Sequence, residues 1–156
     1  QLLRGRLALT VKDGIDALDN FEAALGANPK LAEEPWLADA AVQTFISNKA
    51  SRTNAFLQKL PKDEVLRALE RACMEWSARV RRHAQAALRE LGGNCPDPVG
   101  ALMLDAYQAD KCDAARAVVQ KLVPLERTDE RIGAALDALS RRPSVANCVS
   151  ELIPRR

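Results

Sequence analysis

The side chains that could carry out acid–base chemistry are few. The single histidine, His83, is the natural candidate for a general acid or base, because the pKa of an imidazole lies nearest to neutral pH. It falls between Arg82 and Ala84 in a helical pattern, and no nucleophile or carboxylate accompanies it at the spacing of a catalytic motif. We interpret His83 as a helix-surface or boundary residue. The chain is therefore expected to be no enzyme and to contain no catalytic residue.

Nucleotide and metal chemistry have equally little basis in the sequence. The seven glycines are scattered over turns and helix ends, and neither a glycine-rich phosphate-binding loop nor an H-E-x-x-H or G-x-S-x-G motif occurs. The four cysteines form no C-x-x-C pair and no Cys/His cluster, which disfavours zinc. We expect no metal and no cofactor.

The most prominent charged feature is a group of arginines, Arg79, Arg81, Arg82 and Arg89. Helical spacing places Arg82, Gln85 and Arg89 on one stripe facing solvent. Two interpretations remain open for this stripe. In the first, Arg79, Arg82, Gln85 and Arg89 bind an acidic or phosphorylated partner; in the second, they form a solvated face that keeps the helix soluble.

Trp36 and Trp76 are the other candidates for ligand contact. Each lies close to a predicted helix start, where a large side chain often fills the junction between packed helices. The sequence thus favours a packing role for both.

Composition places the chain among globular proteins. Of 156 residues, 47% are hydrophobic and 28% charged, a balance that permits a buried core. The 23 basic and 21 acidic residues give a net charge of +2, too small to indicate electrostatic capture of nucleic acid or of an anionic membrane. No apolar run approaches the ~20 residues that span a bilayer, so membrane insertion is not expected. Because the helical pattern begins at Gln1, we expect the chain to be a piece of a longer protein.

Apolar residues recur at helical spacing over most of the chain, while strand patterns are absent. The pattern predicts negligible strand content and at least eight helices, with breaks near residues 26–31, 48–51, 92–96 and 125–128. The main predicted helices are 2–11, 15–26, 35–47, 62–74, 77–91, 97–109, 112–125, one beginning after a Thr128 cap, and 145–153.

The beginning of the chain resembles a tetratricopeptide (TPR) hairpin. Small and large residues fall at the offsets of that family's consensus, namely Gly5, Ala8, Ala17, Phe21, Ala24 and Pro29. The resemblance implies two antiparallel helices that meet closely.

The later part resembles HEAT-type helix pairs. The stretch from Val80 to Gly92 is similar to the second helix of a HEAT repeat, and a shift of about 34 residues superimposes Leu88 on Leu122. The resemblance extends over residues 62–153. A TPR hairpin followed by such repeats is also similar to the region C-terminal to the kinase domain in some bacterial serine/threonine kinases.

Stacked helix pairs would decide which cysteines can meet. Free thiols would favour a cytoplasmic location, and a disulfide would favour a periplasmic or extracellular one. If one bond forms, Cys112 and Cys148 are favoured over Cys73 and Cys112, because the first two both begin second helices of adjacent pairs. Cys95 belongs to the connection between pairs and should lie roughly 20 Å from Cys112, too far for a bond.

The sequence predicts an all-α, α-solenoid-like stack of antiparallel helix pairs: a TPR-like hairpin at 1–30, connecting helices at 31–61 and HEAT-like repeats at 62–156, in one continuous body. The predicted function is a non-catalytic interaction or scaffold module of a larger, bacterial signalling protein, with another protein or peptide as partner. Two alternatives remain. One is a nucleic-acid-binding HEAT-like protein that uses an arginine-rich face, which the few aromatics disfavour. The other is a helical-repeat enzyme such as a DNA glycosylase or a pigment lyase. The oligomeric state is left open.

Overall fold

The computed structural model of the chain describes residues 14–154, with side chains from residue 17 onward. Within those residues nine α-helices and three short 3₁₀ helices are present, and no strand occurs. The prediction of an all-α fold is confirmed. Helix 2–11, the first half of the TPR-like hairpin, lies outside the described residues.

The chain divides into two compact units, Gln1–Pro96 and Asp97–Arg156. The described helices of the first unit are α1 (Gly14–Ala27), α2 (Pro35–Gln43), α3 (Ala50–Leu57), α4 (Lys62–Ala72) and α5 (Ala78–Glu90), with 3₁₀ helices at Pro29–Glu33 and Thr44–Ile46. Those of the second unit are α6 (Pro98–Gln108), α7 (Cys112–Leu122), α8 (Arg131–Arg141) and α9 (Ala146–Val149), with a 3₁₀ helix at Val123–Leu125.

Local sequence signals set several helix ends. The Ser77 hydroxyl accepts a hydrogen bond from the Val80 N–H at the start of α5, and the Asp97 carboxylate accepts one from the Gly100 N–H at the start of α6. Gly92 follows α5 with a φ of +80°, a left-handed conformation that glycine adopts without steric cost.

Two predicted boundaries are wrong. Thr128 does not cap α8, because its hydroxyl instead donates to the carbonyl of Leu125 at 2.6 Å, and the helix begins at Arg131. Helix α9 ends at Val149, after which the Leu152 N–H bonds back to the Val149 carbonyl in a tight turn. The predicted helix 145–153 is therefore mostly turn.

The core of the first unit forms where α4 packs between α2 and α5, while α1 packs on α2 and on the two 3₁₀ helices. Alanines on the facing surfaces allow these helices to approach closely. The large side chains that are completely buried include Leu18, Phe21, Leu37, Phe45, Phe56, Leu69 and Leu88. Leu91 continues the helical spacing of the buried Ala84 and Leu88 but is 38% exposed, because the helix has ended at the residue before it.

The second unit has a separate core. Helix α6 packs on α7 and α8, and α9 packs on the same two helices. Its fully buried side chains include Val119, Leu122, Ile132, Leu136, Leu139 and Val149. These residues stand at the helical spacing that the sequence assigns to a core face.

Each unit contains one disulfide. Cys73 is bonded to Cys95, with Cα atoms 5.8 Å apart, and Cys112 is bonded to Cys148, with Cα atoms 5.6 Å apart. The second pair is the one that the sequence favours, but the first pair corrects the expectation of a single bond. No cysteine of the chain remains unpaired in the described residues.

The first disulfide also corrects the expected position of Cys95. Rather than staying at the far end of the α4–α5 hairpin, the chain after α5 folds back along it. Gly93 lies against the side chain of Leu66 in α4, and two residues later Cys95 reaches Cys73 at the end of that helix. The predicted position of Cys95, in a simple turn at the opposite edge from Cys73, is therefore wrong.

Candidate partner-binding surface

A buried arginine supports the turn between α4 and α5, residues 73–77, by hydrogen bonds to its backbone. Arg81 has no exposed surface, and its Nη1 donates to the carbonyl oxygens of Glu75 at 2.7 Å and Trp76 at 2.8 Å. A buried guanidinium is tolerated only where such hydrogen bonds compensate its lost hydration. The sequence groups Arg81 with the arginines of a surface patch, and this is wrong: Arg81 supports the turn from the interior.

Arg79 makes a similar contact with a second turn. Its Nε donates to the carbonyl of Phe45 at 2.9 Å, and its Nη2 donates to the carbonyl of Asn48 at 3.0 Å. These bonds attach residues 45–48 to the first turn of α5. Because carbonyl oxygens carry no net charge, these bonds fix the position of the Arg79 guanidinium without neutralising its positive charge.

A further side-chain bond joins the end of α2, just before the second turn, to the α4–α5 turn. Gln43 Nε2 donates to the Glu75 carboxylate at 3.0 Å. The Glu75 carboxylate also accepts the Trp76 N–H at 3.2 Å. Together with the Cys73–Cys95 disulfide, these contacts hold both turns in a defined arrangement.

Three large apolar side chains project from these turns. Trp76 is 70% exposed, Met74 44% and Ile46 36%. We refer to these three residues as the apolar tip. The predicted packing role of Trp76 is wrong, whereas Trp36 is half-buried and its ring meets that of Phe21 edge-on at 6.3 Å.

His83 packs against Phe45, the residue before Ile46. Its ring stacks on Phe45 with centroids 5.3 Å apart. Partial burial lowers the pKa of the imidazole, and the positive charges of Arg79 and Arg82 lower it further. The neutral form of His83 is therefore favoured at pH 7.

The arginine stripe of α5 has the exposure that its spacing suggests. Arg82 and Arg89 are exposed and Gln85 is partly exposed. Among the described residues, neither arginine forms an ion pair. Arg79, the fourth candidate, lies at the start of the same helix but is bound to backbone carbonyls.

A small apolar cleft opens elsewhere on the first unit, with a volume of about 260 Å³. Its lining includes Leu57, Val65 and Leu69, and its rim includes the charged residues Lys62 and Glu90. The half-exposed Leu91 completes one side. This volume lies just below the ~300–1,000 Å³ of small-molecule sites and suits one large side chain of a peptide. The sequence offers no signal for the cleft, because it depends on where three helices leave a gap.

Charged residues in the second unit connect helices. Arg131 bonds bidentately to Asp97 at 2.7 and 2.9 Å and also bonds to Asp129 at 2.7 Å. The hydrogen bonds from Arg131 and from the Gly100 N–H lower the pKa of Asp97 to about 2. This exposed cluster attaches the start of α8 to the start of α6.

Two further arginines of the second unit bind backbone carbonyls. Arg142 donates to the carbonyls of Ala106, Tyr107 and Ala109 at the end of α6. Arg116 donates to the carbonyl of Cys148 at 3.1 Å. The nucleic-acid alternative needs the arginines of α5 to join Arg116, Lys121 and the terminal Arg155 and Arg156. Arg81 cannot contribute because it is buried, and the two terminal arginines lie outside the described residues.

Between residues 14 and 154, no group of three or more histidine, cysteine, aspartate or glutamate side chains could hold a metal ion. In the same part of the chain, no helix is long and apolar enough to cross a membrane. No protein-family model, curated protein or solved structure matches the chain.

Proposed function

We propose that this chain is a non-catalytic helical-repeat module that binds another protein. The observation that carries the proposal is the layered packing within each unit. Helix α2 packs along α4, α6 along α8, and α7 along α9, so that alternate helices lie side by side. Stacked helix pairs of this kind form extended surfaces suited to recognising peptides or protein domains.

The spacing of side-chain contacts supports the repeat interpretation. Hydrogen bonds between layers link residues 31 to 37 positions apart in both units, including Arg52–Asp19, Lys59–Glu22, Arg71–Asp39, Arg79–Asn48, Arg131–Asp97 and Arg142–Ala106. A period near 34 residues is that of TPR-like arrays. Within each unit, side-chain hydrogen bonds therefore join segments that lie about one such period apart in the sequence.

The surface of the first unit offers two places for a partner. The apolar tip presents a tryptophan and a methionine, residue types that are enriched at protein interfaces. The cleft beside Leu91 offers a recess for a single apolar side chain.

The groups whose pKa values are strongly shifted, Asp97 and Arg131, bond to each other and do not converge on a recess. This arrangement favours a structural role for them over catalysis.

An assignment to a compartment is part of the same proposal, and the cysteines support it. All four form disulfides within their own units, so we place the module in an oxidising compartment, periplasmic or extracellular. Membership of a larger bacterial signalling protein rests on the sequence resemblance alone.

Selection of displayed random peptides on the folded chain tests the proposed function. A parallel selection on reduced, alkylated and unfolded chain removes peptides that bind any exposed polypeptide. We expect peptides that enrich only on the folded chain and that weaken when either Leu91→Asp alters the cleft or Trp76→Ala alters the apolar tip. Absence of enrichment over the unfolded control contradicts the proposal, and tight duplex-DNA binding at low salt would favour the nucleic-acid alternative.

A further inference from the structure

Three cationic side chains lie on the turns that bear the apolar tip or in the first two turns of α5. Arg79 is bonded to the carbonyls of residues 45 and 48, which places its guanidinium beside the turn that bears Ile46. Lys49 follows on that turn and is exposed. Arg82 lies one helical turn beyond Arg79 on α5 and is exposed as well.

Negative charge is scarce at the same place. Within residues 44–49 and 73–77, Glu75 is the single acidic residue. Its carboxylate already accepts hydrogen bonds from Gln43 and from the Trp76 N–H. Three cations and one engaged carboxylate leave a local excess of positive charge around three exposed apolar side chains.

We propose that the apolar tip and its flanking cations Lys49, Arg79 and Arg82 bind an acidic protein segment that carries apolar anchor residues. This inference rests on the proposed protein-binding function and specifies the partner's chemistry. The partner's apolar side chains pack on Trp76 and Met74, while its carboxylates lie opposite the cations. Apolar contact at the centre and charge at the rim is the usual anatomy of a protein interface.

Other partner classes fit the observations less well. Single-stranded nucleic acid is bound by successive aromatic platforms, and this surface offers one exposed aromatic ring. A membrane-surface anchor uses a broad apolar face along a helix, whereas these three side chains stand on two turns. The fixed geometry of the turns also favours a shaped protein surface, because a rigid anchor loses little entropy on binding.

The test uses three fluorescein-labelled synthetic peptides of about a dozen residues. The first intersperses Glu and Asp with Leu and Phe; the second replaces each acidic residue with Lys; the third keeps the acidic residues and replaces the apolar ones with Ser. Fluorescence anisotropy measures Kd for each peptide with the folded, disulfide-bonded chain. We expect the acidic apolar peptide to bind at least about tenfold more tightly than either of the others.

Matched variants locate the binding. Trp76→Ala and Arg82→Glu should each weaken binding of the acidic apolar peptide by about tenfold or more. The first control, Tyr107→Ala, removes an exposed aromatic ring from the second unit. The second control, Arg89→Glu, makes the same charge change as Arg82→Glu but two helical turns away. That separation is about 10 Å along the helix axis, which exceeds the ~8 Å Debye length. Both controls should change Kd by less than about twofold.

Several results would overturn the inference. Equal binding of the lysine peptide removes the charge argument, and an unchanged Kd for Trp76→Ala removes the apolar tip. Two further probes are vesicles of phosphatidylcholine and phosphatidylserine and a single-stranded oligonucleotide. If either binds more tightly than the acidic peptide, and if that binding depends on Trp76, the surface belongs to another partner class. If displayed peptides enrich on the folded chain but respond only to Leu91→Asp, this inference fails while the proposed function stands.

Discussion

Substituting Arg81 by methionine is the most direct probe of how the first unit is built. Two adjacent arginines, Arg81 and Arg82, have opposite environments: the first is completely buried and the second exposed. Methionine removes the guanidinium while keeping an unbranched apolar stem. The matched variant Arg82→Met makes the same chemical change next to it.

The expected cost can be worked from the hydrogen bonds that Arg81 Nη1 donates. Arg81 Nη1 donates to the carbonyls of Glu75 and Trp76, and hydrogen bonds from charged donors contribute ~1.5–3 kcal/mol each. The new methionine recovers part of this through apolar burial, so we expect Arg81→Met to lower the free energy of unfolding by about 3 kcal/mol. Arg82→Met should change it by about 0.5 kcal/mol or less.

Urea unfolding followed by tryptophan emission provides the assay. Both tryptophans, Trp36 and Trp76, belong to the first unit, so their emission reports that unit selectively. With a slope of about 2 kcal/mol per molar urea, the midpoint of Arg81→Met should fall by about 1.5 M. Equal midpoints for the two variants would refute the assignment of Arg81 to the interior and of Arg82 to the surface.

Three further predictions address other parts of the chain. Leu88→Ala and Leu122→Ala should each destabilise their unit by about 2–5 kcal/mol, because both side chains are buried. Arg89→Ala should destabilise the first unit by about 0.5 kcal/mol or less. Urea unfolding followed by circular dichroism measures all three, and similar shifts would contradict the assignment of buried and exposed helix faces. Because the pKa of Asp97 falls from 3.8 to about 2 in the folded chain, the stability that it contributes is complete above about pH 4 and is lost as the pH falls toward 2. Asp97→Asn should abolish that part of the pH dependence of unfolding of the second unit, measured by Tyr107 emission after excitation in the tyrosine band, whereas Asp137→Asn should retain it. Non-reducing peptide mapping should recover Cys73 with Cys95 and Cys112 with Cys148, and reduction of each bond should cost about 3–4 kcal/mol by the chain-entropy relation; a Cys95–Cys112 peptide would refute both pairings.

Helical periodicity predicted the helices of this fold well, because amphipathic spacing is a local signal. The helix end before Gly92 and the buried faces containing Leu88 and Leu122 could be inferred from neighbouring residues. Three-dimensional connections were harder to infer. The return of the chain from Gly92 to Cys95 along α4 has no sequence period, so the Cys73–Cys95 bond was missed.

The candidate surface shows the same limit at the level of single side chains. Arg81 and Arg82 look alike in the sequence, and only the position of the α4–α5 turn decides which one is buried. The one signal in the sequence was the position of Arg81 at the edge of the apolar face of its helix, next to Val80 and Ala84. The prediction that Trp76 packs in the interior rested on its size and its place near a helix start, but a five-residue turn that begins at the buried Cys73 leaves it projecting outward.

The two disulfides also determine how the chain responds to mechanical force. A chain pulled from its ends cannot extend the residues enclosed between Cys73 and Cys95 or between Cys112 and Cys148, which are 22 and 36 positions apart. At ~3.3–3.6 Å per extended residue, the bonds withhold roughly 75 Å and 125 Å of contour length. Helix α5, with the arginine that supports the apolar tip, lies wholly within the first enclosed segment, and helices α7 and α8 lie within the second apart from the bonded Cys112 itself. Tension applied to the two ends of the chain would therefore extend α1 to α3 while the covalent loop around α5 stayed closed.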